Sequence, residues 1–197
     1  MDLLLATRNE HKAKELRQLL GDDFAVSDLR GYPAIEMPGE TGSTFAENAI
    51  LKAITASKHR HLQNGFVIAD DSGLEVDALG GMPGIYSARY ADEHATDSAN
   101  IEKLVRELKN VAKRSARFRC AIALARAGKV LEILEGLVEG TLVDLPRGKH
   151  GFGYDPIFQP TGFDETFGEM TSALKNQISH RAKAVAALRE KLREIRD

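Results

Sequence analysis

Residues 7–12 of this chain combine side chains that can bind phosphate. A hydroxyl at Thr7, an amide at Asn9 and a cation at Lys12 follow a short apolar run, and leucines at helical spacing come after them. The segment therefore lies where a strand leads into a helix, and the free amides and positive dipole end of a helix N-terminus attract anions. The glycines of a Walker A loop are missing. The structural alternative is an N-cap at Asn9 followed by a surface lysine.

Asp70 and Asp71 offer carboxylates directly after the apolar residues 66–69. In an extended chain adjacent side chains point to opposite faces, so only one of the two is expected to face a given site. Mg²⁺ is bound in proteins by one or two carboxylates together with substrate phosphate oxygens. Glu40, in a loop rich in glycine and proline, is a candidate for the second carboxylate. A plain turn is the structural alternative for the Asp-Asp-Ser-Gly sequence.

The C-terminal part of the chain contains aromatic and basic residues that suit a nucleobase. Phe152, Tyr154 and Asp155 lie beside glycines, and aromatic faces next to flexible backbone can stack on a base. Such aromatics also pack loops onto a core, which is the alternative interpretation. Arg181 follows His180 at the start of a predicted helix, and arginine reads keto oxygens and phosphates well. The six histidines lack metal-ligand spacing, so zinc is not expected.

The elements that must position these residues are helices and strands in mixed order, which predicts an α/β or α+β fold. The order of the strands in the sheet does not follow from the sequence. Thr44 and Glu47 form a capping box at the start of one helix, and Cys120 lies in an alternating apolar strand as a core residue. The predicted elements are a strand at residues 3–6, a helix ending at Gly21, a helix from Thr44 to about Leu62, a strand at 66–69, a helix around 101–108, a hairpin of strands at 117–124 and 130–143, and a helix from about His180.

The composition predicts a globular protein of one domain or two tightly joined lobes. The chain has 197 residues, 43% of them hydrophobic, and a formal net charge of −2, so no polycationic surface for duplex nucleic acid is expected. One cysteine excludes an internal disulfide and fits a reducing compartment. No apolar run reaches the roughly 20 residues of a membrane helix, and the N-terminal residues do not resemble a signal peptide. These features predict a cytoplasmic protein.

Taken together, the motifs resemble the inosine triphosphate pyrophosphatase family, whose members hydrolyse noncanonical purine nucleoside triphosphates. Each motif alone is weak, but six of them occur in order and at family-like spacing over nearly the whole chain. They are Leu5-Ala6-Thr7-Arg8-Asn9 with Lys12, Glu40-Thr41-Gly42 with Thr44-Phe45-Ala46-Glu47-Asn48-Ala49, Ala69-Asp70-Asp71-Ser72-Gly73-Leu74, the segment from Leu79 to Tyr90, Gly151-Phe152-Gly153-Tyr154-Asp155-Pro156-Ile157-Phe158, and Lys175-Asn176 with Ile178-Ser179-His180-Arg181. Arg8 is a departure, because many relatives have glycine or a small residue there.

The resemblance implies an α/β fold with an elongated mixed β-sheet flanked by helices. Residues 1–197 would form a single domain whose two lobes surround a central cleft. The protein would be a homodimer that binds a small-molecule nucleotide and neither a nucleic acid polymer nor a membrane. Its reaction would convert dITP, ITP or XTP and water into the monophosphate and pyrophosphate, which cleanses the nucleotide pool.

The resemblance also assigns roles to individual residues. Asp71 would be the catalytic acidic residue, as general base or metal ligand, and Glu40 would share Mg²⁺ with it. A donor of Arg181 that faces position 6 of the base would favour a keto oxygen over the amino group of adenine. The residues that would bind the phosphates and sugar are Thr7, Arg8, Asn9, Glu10, His11, Lys12, Ser72 and Lys175. Those that would bind the base are Phe152, Gly153, Tyr154, Asp155, His180 and Arg181.

Two other functions are open at this stage. A Maf-like pyrophosphatase would have the same type of reaction but act on pyrimidine or modified nucleotides, and residues 152–155 and 179–181 argue against it. A non-catalytic nucleotide sensor would bind without cleaving, which the presence of Asp71, Glu40 and Lys12 disfavours. An RNA-binding module is the weakest option, because the charge is balanced.

Overall fold

The computed structural model describes residues 1–59 and 65–196 of the chain. Its strands are β1 (Asp2–Leu5), β2 (Ala25–Asp28), β3 (Phe66–Val76), β4 (Ser115–Arg126), β5 (Lys129–Leu142) and β6 (Phe158–Pro160). Its helices are α1 (Glu10–Leu20), α2 (Phe45–Ser57), α3 (Asp97–Glu107), α4 (Ser172–Ile178) and α5 (His180–Arg196). None of the helices in these ranges is long and apolar enough to cross a membrane.

The six strands form one sheet in the order β2-β1-β3-β4-β5-β6. β1 is parallel to both of its neighbours, with Leu5 opposite Asp28 of β2 and Ile68 of β3. β5 and β6 are antiparallel, with Leu142 opposite Phe158. The mixed sheet with its helices confirms the α/β class that the resemblance implies.

Local signals explain where the helices begin. Asn9, Thr44, Thr96 and Thr171 have extended backbone, and each accepts a hydrogen bond from an amide three residues later. These bonds satisfy amides that have no partner within the helix. The caps at Asn9 and Thr44 confirm the predicted starts of α1 and α2, and α5 begins at His180, as predicted. Leu62, to which the sequence extends α2, lies outside the described residues.

β3 corrects one prediction. Residues 66–69 were expected to form a short strand, with a turn as one interpretation of Asp70 to Gly73, but a single strand continues to Val76. The aspartates therefore lie inside a strand and do not follow its end. Apolar residues on both sides of the pair explain the continuation, because Ile68, Leu74 and Val76 are all buried. β2 and α4 were not predicted.

The chain divides into two compact units. Unit 1 contains Met1–Asp71, Cys120–Gly136 and Arg181–Asp197, and unit 2 contains Ser72–Arg119 and Leu137–His180. Each has its own hydrophobic cluster. The cluster of unit 1 includes Leu5, Leu16, Ile68, Ile122 and Leu188. That of unit 2 includes Leu74, Leu104, Phe118, Phe158 and Phe167. The expected single domain with a central cleft stays a prediction.

Candidate functional site

The two adjacent aspartates of β3 have different partners. Asp70 is buried and its Oδ1 lies 2.9 Å from Lys12 Nζ of α1. Its Oδ2 accepts hydrogen bonds from Arg181 Nε at 3.1 Å and Nη2 at 3.0 Å. Asp71 has neither of these hydrogen bonds; its partners come from α2. The separation follows from the strand, in which neighbouring side chains point to opposite faces.

Asp71 belongs to a polar cluster with two residues of α2. Its Oδ1 lies 2.8 Å from Lys52 Nζ, and its Oδ2 accepts a hydrogen bond from Asn48 Nδ2 at 3.2 Å. The same Lys52 ammonium lies 3.1 Å from Oε1 of Glu40. Asn48 also accepts a hydrogen bond from the backbone amide of Gly42 at 2.8 Å, which holds the end of the loop that carries Glu40. Two carboxylates therefore converge on one cationic group.

Glycine is required where this loop joins α2. A Cβ on Gly42 would lie 2.7 Å from Glu47 Cβ and 2.8 Å from Asn48 Oδ1. The loop backbone thus passes so close to the first turn of α2 that any larger side chain would displace Asn48. Glu47 has the structural role that the sequence indicates, although its carboxylate accepts from the amide of Ser43 instead of that of Thr44.

The surroundings of the two aspartates shift their pKa values in opposite directions. Burial by itself would raise the pKa of Asp70, but Lys12 and Arg181 outweigh it and hold that pKa well below its ordinary range. Burial raises the pKa of Asp71, with a further contribution from Glu40, against the opposing effects of Lys52 and Lys12. Asp70 is thus a permanent anion near neutral pH, and Asp71 is a stronger base than an ordinary aspartate.

Lys52 remains a cation in this setting. Its burial alone would lower the pKa of the ammonium, but Asp71, Asp70 and Glu40 reverse that effect and raise it. A protonated, half-enclosed ammonium beside two carboxylates can neutralise part of the charge of a phosphate. Lys12 supplies a second ammonium on the other side of the aspartate pair.

The predicted phosphate segment, residues 7–12, has a definite hydrogen-bonding pattern. Thr7 Oγ1 accepts from the amide of Asn9 at 3.1 Å, and Asn9 Oδ1 accepts from the amide of Lys12 at 3.0 Å. Asn9 is therefore the N-cap of α1, as the structural alternative states. His11 is exposed, and exposed Glu10 forms an ion pair with Arg30.

Arg8 has a contact that the sequence did not predict. Its guanidinium donates to the carbonyl oxygens of Leu29, Pro33 and Ile35, at 3.2, 3.4 and 2.8 Å. Arg8 is an exposed residue, but backbone carbonyl groups hold its guanidinium in place. It fastens the loop after β2 to the segment between β1 and α1.

Arg181 is one of the largest fully buried side chains of unit 1. Besides its two bonds to Asp70, its Nη1 is paired with the carboxylate of Glu15 on α1. These carboxylates fix the guanidinium plane from two sides. A residue predicted to read a base thus has a second function, because it joins α1, β3 and the start of α5.

The predicted base-binding residues of unit 2 are also largely buried. Lys175 Nζ donates to Asp155 Oδ2 at 2.6 Å, and this carboxylate oxygen also accepts from the amide of Phe152 at 2.9 Å. Tyr154 Oη donates to the carbonyl of Ser87 at 2.9 Å. Lys175 Nζ lies 5.2 Å from the centroid of the Phe152 ring. Loop 151–155 is therefore held in one shape by hydrogen bonds at both of its ends.

Three more predicted residues, His180, Gly153 and Ser72, belong to unit 2. The ring of His180 stacks on Phe118, with 4.8 Å between centroids and 13° between planes. Gly151 and Gly153 have φ angles of 75° and 60°, which favour glycine. Ser72, the first residue of unit 2, is half-buried in β3.

Sequence reasoning missed three residues of these clusters: Asn48, Lys52 and Glu15. Asn48 and Lys52 are four residues apart on α2, so they share one face of the helix. The sequence signal for these two residues is their four-residue spacing on a helix that directly follows the glycine-rich loop with Glu40. Glu15 lies three residues after Lys12 on α1. Its role becomes clear only from its ion pair with Arg181, which the sequence does not predict.

Comparisons with known proteins agree over nearly the whole chain. Residues 3–191 match the model of the Ham1 family. A dITP/XTP pyrophosphatase of Bacillus licheniformis is 49% identical over 193 residues, which are 95% of each chain, and that of Bacillus subtilis is 49% identical over 190 residues, which are 95% of this chain and 94% of the relative. The Ham1 protein of Staphylococcus aureus has a TM-score of 0.86 at 41% identity and covers 98% of this chain and 99% of its own. The chain therefore belongs to the Ham1 family.

Proposed function

We propose that this chain is a nucleoside triphosphate pyrophosphatase that hydrolyses the noncanonical purine nucleotides dITP, ITP and XTP to the monophosphate and pyrophosphate. The observation that carries the proposal is the cluster of Asp71, Lys52 and Glu40, with Lys12 beside the neighbouring Asp70. Two ammonium groups and two carboxylates around a buried aspartate suit a triphosphate and its metal ion. The names of the two Bacillus relatives support the substrate class.

Asp71 and Glu40 fit the ligand chemistry of Mg²⁺. Both carboxylates contact Lys52 Nζ, so they already converge on one positive charge. No group of three or more histidine, cysteine or acidic side chains in residues 1–59 and 65–196 could hold a metal ion. Mg²⁺ commonly takes one or two carboxylates and completes its shell with phosphate oxygens and water. When bound, the ion would neutralise phosphate charge and polarise the scissile bond.

Each residue of the cluster has a distinct task in this proposal. Asp71 orients the attacking water and accepts its proton. Lys12 and Lys52 neutralise charge on the phosphates. Asp70 holds Lys12 in place through their 2.9 Å ion pair. Further contacts to the phosphates and sugar come from Thr7, Arg8, Asn9, Glu10, His11, Ser72 and Lys175.

The base is bound by Phe152, Gly153, Tyr154, Asp155, His180 and Arg181. The hydrogen bonds of Asp155 with Lys175 and Phe152 keep loop 151–155 in shape before any nucleotide arrives. A pre-organised loop binds with a smaller loss of conformational entropy. Asp70 and Glu15 fix the guanidinium plane of Arg181, and in this proposal the guanidinium donates to a 6-keto oxygen of the base.

We further propose a cytoplasmic homodimer that acts on free nucleotides and binds neither nucleic acid polymers nor membranes. The balanced composition, with 27 basic and 29 acidic residues, supports the absence of nucleic acid binding. Light scattering coupled to size-exclusion chromatography tests the dimer, since a mass near 21.6 kDa would contradict it.

Pyrophosphate release from ITP, XTP, GTP, ATP and dTTP, with and without Mg²⁺, tests the function. We expect turnover mainly of ITP and XTP, dependent on Mg²⁺, and a kcat at least about 100-fold lower in Asp71→Asn. Asp23→Asn is the matched control, because Asp23 is an exposed acid of the same unit that pairs with Arg189. Its activity should equal that of the wild type.

Other outcomes would identify the alternatives. Preference for dTTP would favour a Maf-like enzyme, and equal rates on all five nucleotides would refute the assigned base-binding residues. Tight binding of ITP without turnover would indicate a sensor. An active Asp71→Asn variant would remove Asp71 from the catalytic role.

A further inference from the structure

Loop 151–155 is bonded to Asp97, a residue to which no role has been assigned so far. Asp97, the first residue of α3, accepts a hydrogen bond on its Oδ2 from the backbone amide of Gly153 at 2.6 Å. Both residues belong to unit 2, and they are 56 positions apart in sequence. The bond has a charged acceptor and is therefore stronger than a bond between neutral groups.

The Asp97 bond completes a clamp on a single peptide unit. The N–H of the peptide that joins Phe152 and Gly153 donates to Asp97, and the carbonyl of the same peptide accepts from the amide of Asp155 at 3.3 Å. A trans peptide points its N–H and C=O in opposite directions, so the two contacts fix the rotation of the whole plane. Gly153 has a φ of 60°, and glycine by itself has no preference for this region.

This peptide plane is attached to the Cα of Phe152, so its orientation constrains the backbone from which the Phe152 side chain extends. Phe152 is held from its other side by the bond between its amide and Asp155. The ammonium of Lys175 lies over its ring. Without Asp97, the peptide between Phe152 and Gly153 would lose the acceptor of its N–H and would gain freedom to rotate.

The first turn of α3 holds a second segment as well. Asn100 accepts from the amide of Ala91 at 2.8 Å and donates to the carbonyl of Ala88 at 3.2 Å. Segment 84–89 provides the carbonyl of Ser87 to which Tyr154 donates. The N-terminus of α3 is thus connected to loop 151–155 directly through Asp97 and indirectly through Asn100.

We infer that Asp97 is a positioning residue for base binding, which sets the shape of loop 151–155 through the Gly153 amide and contacts no substrate itself. This inference rests on the proposed function, because it assigns Asp97 to the affinity for the purine base. The role depends on a hydrogen-bond acceptor at this position. The interaction of the Asp97 charge with the N-terminus of α3 stabilises the helix and is separate from this role.

Steady-state kinetics with ITP separate these roles. We expect Asp97→Ala to raise KM on the order of tenfold with a much smaller change in kcat, because a charge-assisted hydrogen bond that orders the binding loop is lost. Asp97→Asn should restore most of the wild-type KM, since its side-chain oxygen can still accept from the Gly153 amide. If the charge mattered instead, the asparagine variant would behave like the alanine variant.

Thr96→Ala is the matched control. Thr96 caps α3 through its bond from the amide of Ala99 at 3.2 Å, so its loss lowers the Tm of the protein but leaves the Asp97 carboxylate in place. We expect a KM close to that of the wild type for this variant. An equal rise of KM in Thr96→Ala and Asp97→Ala would reduce Asp97 to a helix-stability residue and overturn the inference.

The failure of the inference and that of the proposed function are distinguishable. Wild-type protein that releases no pyrophosphate from ITP would refute the function. Wild-type protein that is active, with an unchanged KM in Asp97→Ala, would refute only the role of Asp97. The Tm of each variant shows that the kinetics report on folded protein.

Discussion

Asp70 and Arg181 are 111 residues apart in sequence and form a buried ion pair, with Arg181 Nη2 3.0 Å from Asp70 Oδ2. The pair connects β3 to the start of α5. Lys12 and Glu15 on α1 extend it to a network of two acids and two bases. Removing one member of such a network strongly lowers the free energy of unfolding, because each remaining charge would be buried without its partner.

Loss of either side chain of this pair should therefore be strongly destabilising. We expect Asp70→Ala and Arg181→Met each to lower the free energy of unfolding by about 3–5 kcal/mol. The double variant should lose less than the sum, because neither Asp70 nor Arg181 is then left without the other. Urea unfolding of all four proteins measures this coupling. Additive losses would show that the two residues act independently.

The exposed ion pair of Arg189 and Asp23 provides the comparison for this double-mutant cycle. Arg189 and Asp23 lie 3.0 Å apart, with 31% and 58% of their side chains exposed. Water and salt screen such a pair, so its coupling energy should be about 0–1 kcal/mol. A coupling as large as that of Asp70 and Arg181 would mean that burial does not determine the difference.

Asp28 should make stability dependent on pH in the acid range. Hydrogen bonds from Arg30, against the effect of burial, and further contacts with Arg17 hold the pKa of Asp28 below its ordinary value. A carboxyl with a lowered pKa in the folded state stabilises above its unfolded pKa of about 3.9 and loses this contribution as the pH falls further. The stability difference between wild type and Asp28→Asn should thus shrink below about pH 4. Urea midpoints at a series of pH values measure it, and a constant difference would contradict the prediction.

The turn between β4 and β5 contains a strained residue. Ala127 has a φ of 49°, in the left-handed region, and Gly128 follows with a φ of 78°. Alanine is disfavoured there, whereas asparagine and glycine are not. We expect Ala127→Asn to raise the free energy of unfolding by about 0.5–1 kcal/mol. A lower stability would show that the methyl group of Ala127 has a packing role that outweighs its strain.

Gly128→Ala is the opposite test at the next position. The φ of this glycine disfavours any side chain, and a Cβ there would lie 2.8 Å from Lys58 Cγ. We expect this variant to be less stable than the wild type in the same urea experiment. The flexible Lys58 can move aside, so most of the loss should come from the backbone conformation.

Cys120 should be inert in the folded protein. It is buried in β4, and burial, together with the nearby Asp70 carboxylate, raises the pKa of its thiol. The thiolate is the reactive form, so a thiol reagent at pH 8 should not label the native chain and should label it fully in urea. Since Cys120 is the one cysteine of the chain, the labelling rate reports the opening of unit 1. Rapid labelling of native protein would contradict the buried position.

Sequence patterns predicted those parts of the fold that neighbouring residues determine. Capping side chains at Asn9 and Thr44 and the spacing of apolar residues identified helix starts, because these interactions span only a few positions. β3 was predicted only in part. Its aspartates resemble a turn when considered locally, and the burial of residues on both sides of them overrides that preference.

Local sequence patterns did not predict the partners of the candidate site residues. Asp71 and Glu40 were chosen from the sequence, but Lys52, which both of them contact, was not. Arg181 was assigned to a base, and its ion pairs with Asp70 and Glu15 appear only when α5, β3 and α1 are packed together. The hydrogen bond from Gly153 to Asp97 is of the same kind.

The sequence by itself determined a mixture of helices and strands of the α/β or α+β class, the starts of α1, α2 and α5, and the segments rich in phosphate-binding, acidic and aromatic residues. These features depend on side-chain types and on periodicities of a few residues. Only the tertiary structure decided the order of the strands, the separate partners of Asp70 and Asp71, and the shape of loop 151–155. The physical reason is that a buried charge must find partners from whichever elements pack around it, and that packing is a property of the whole fold.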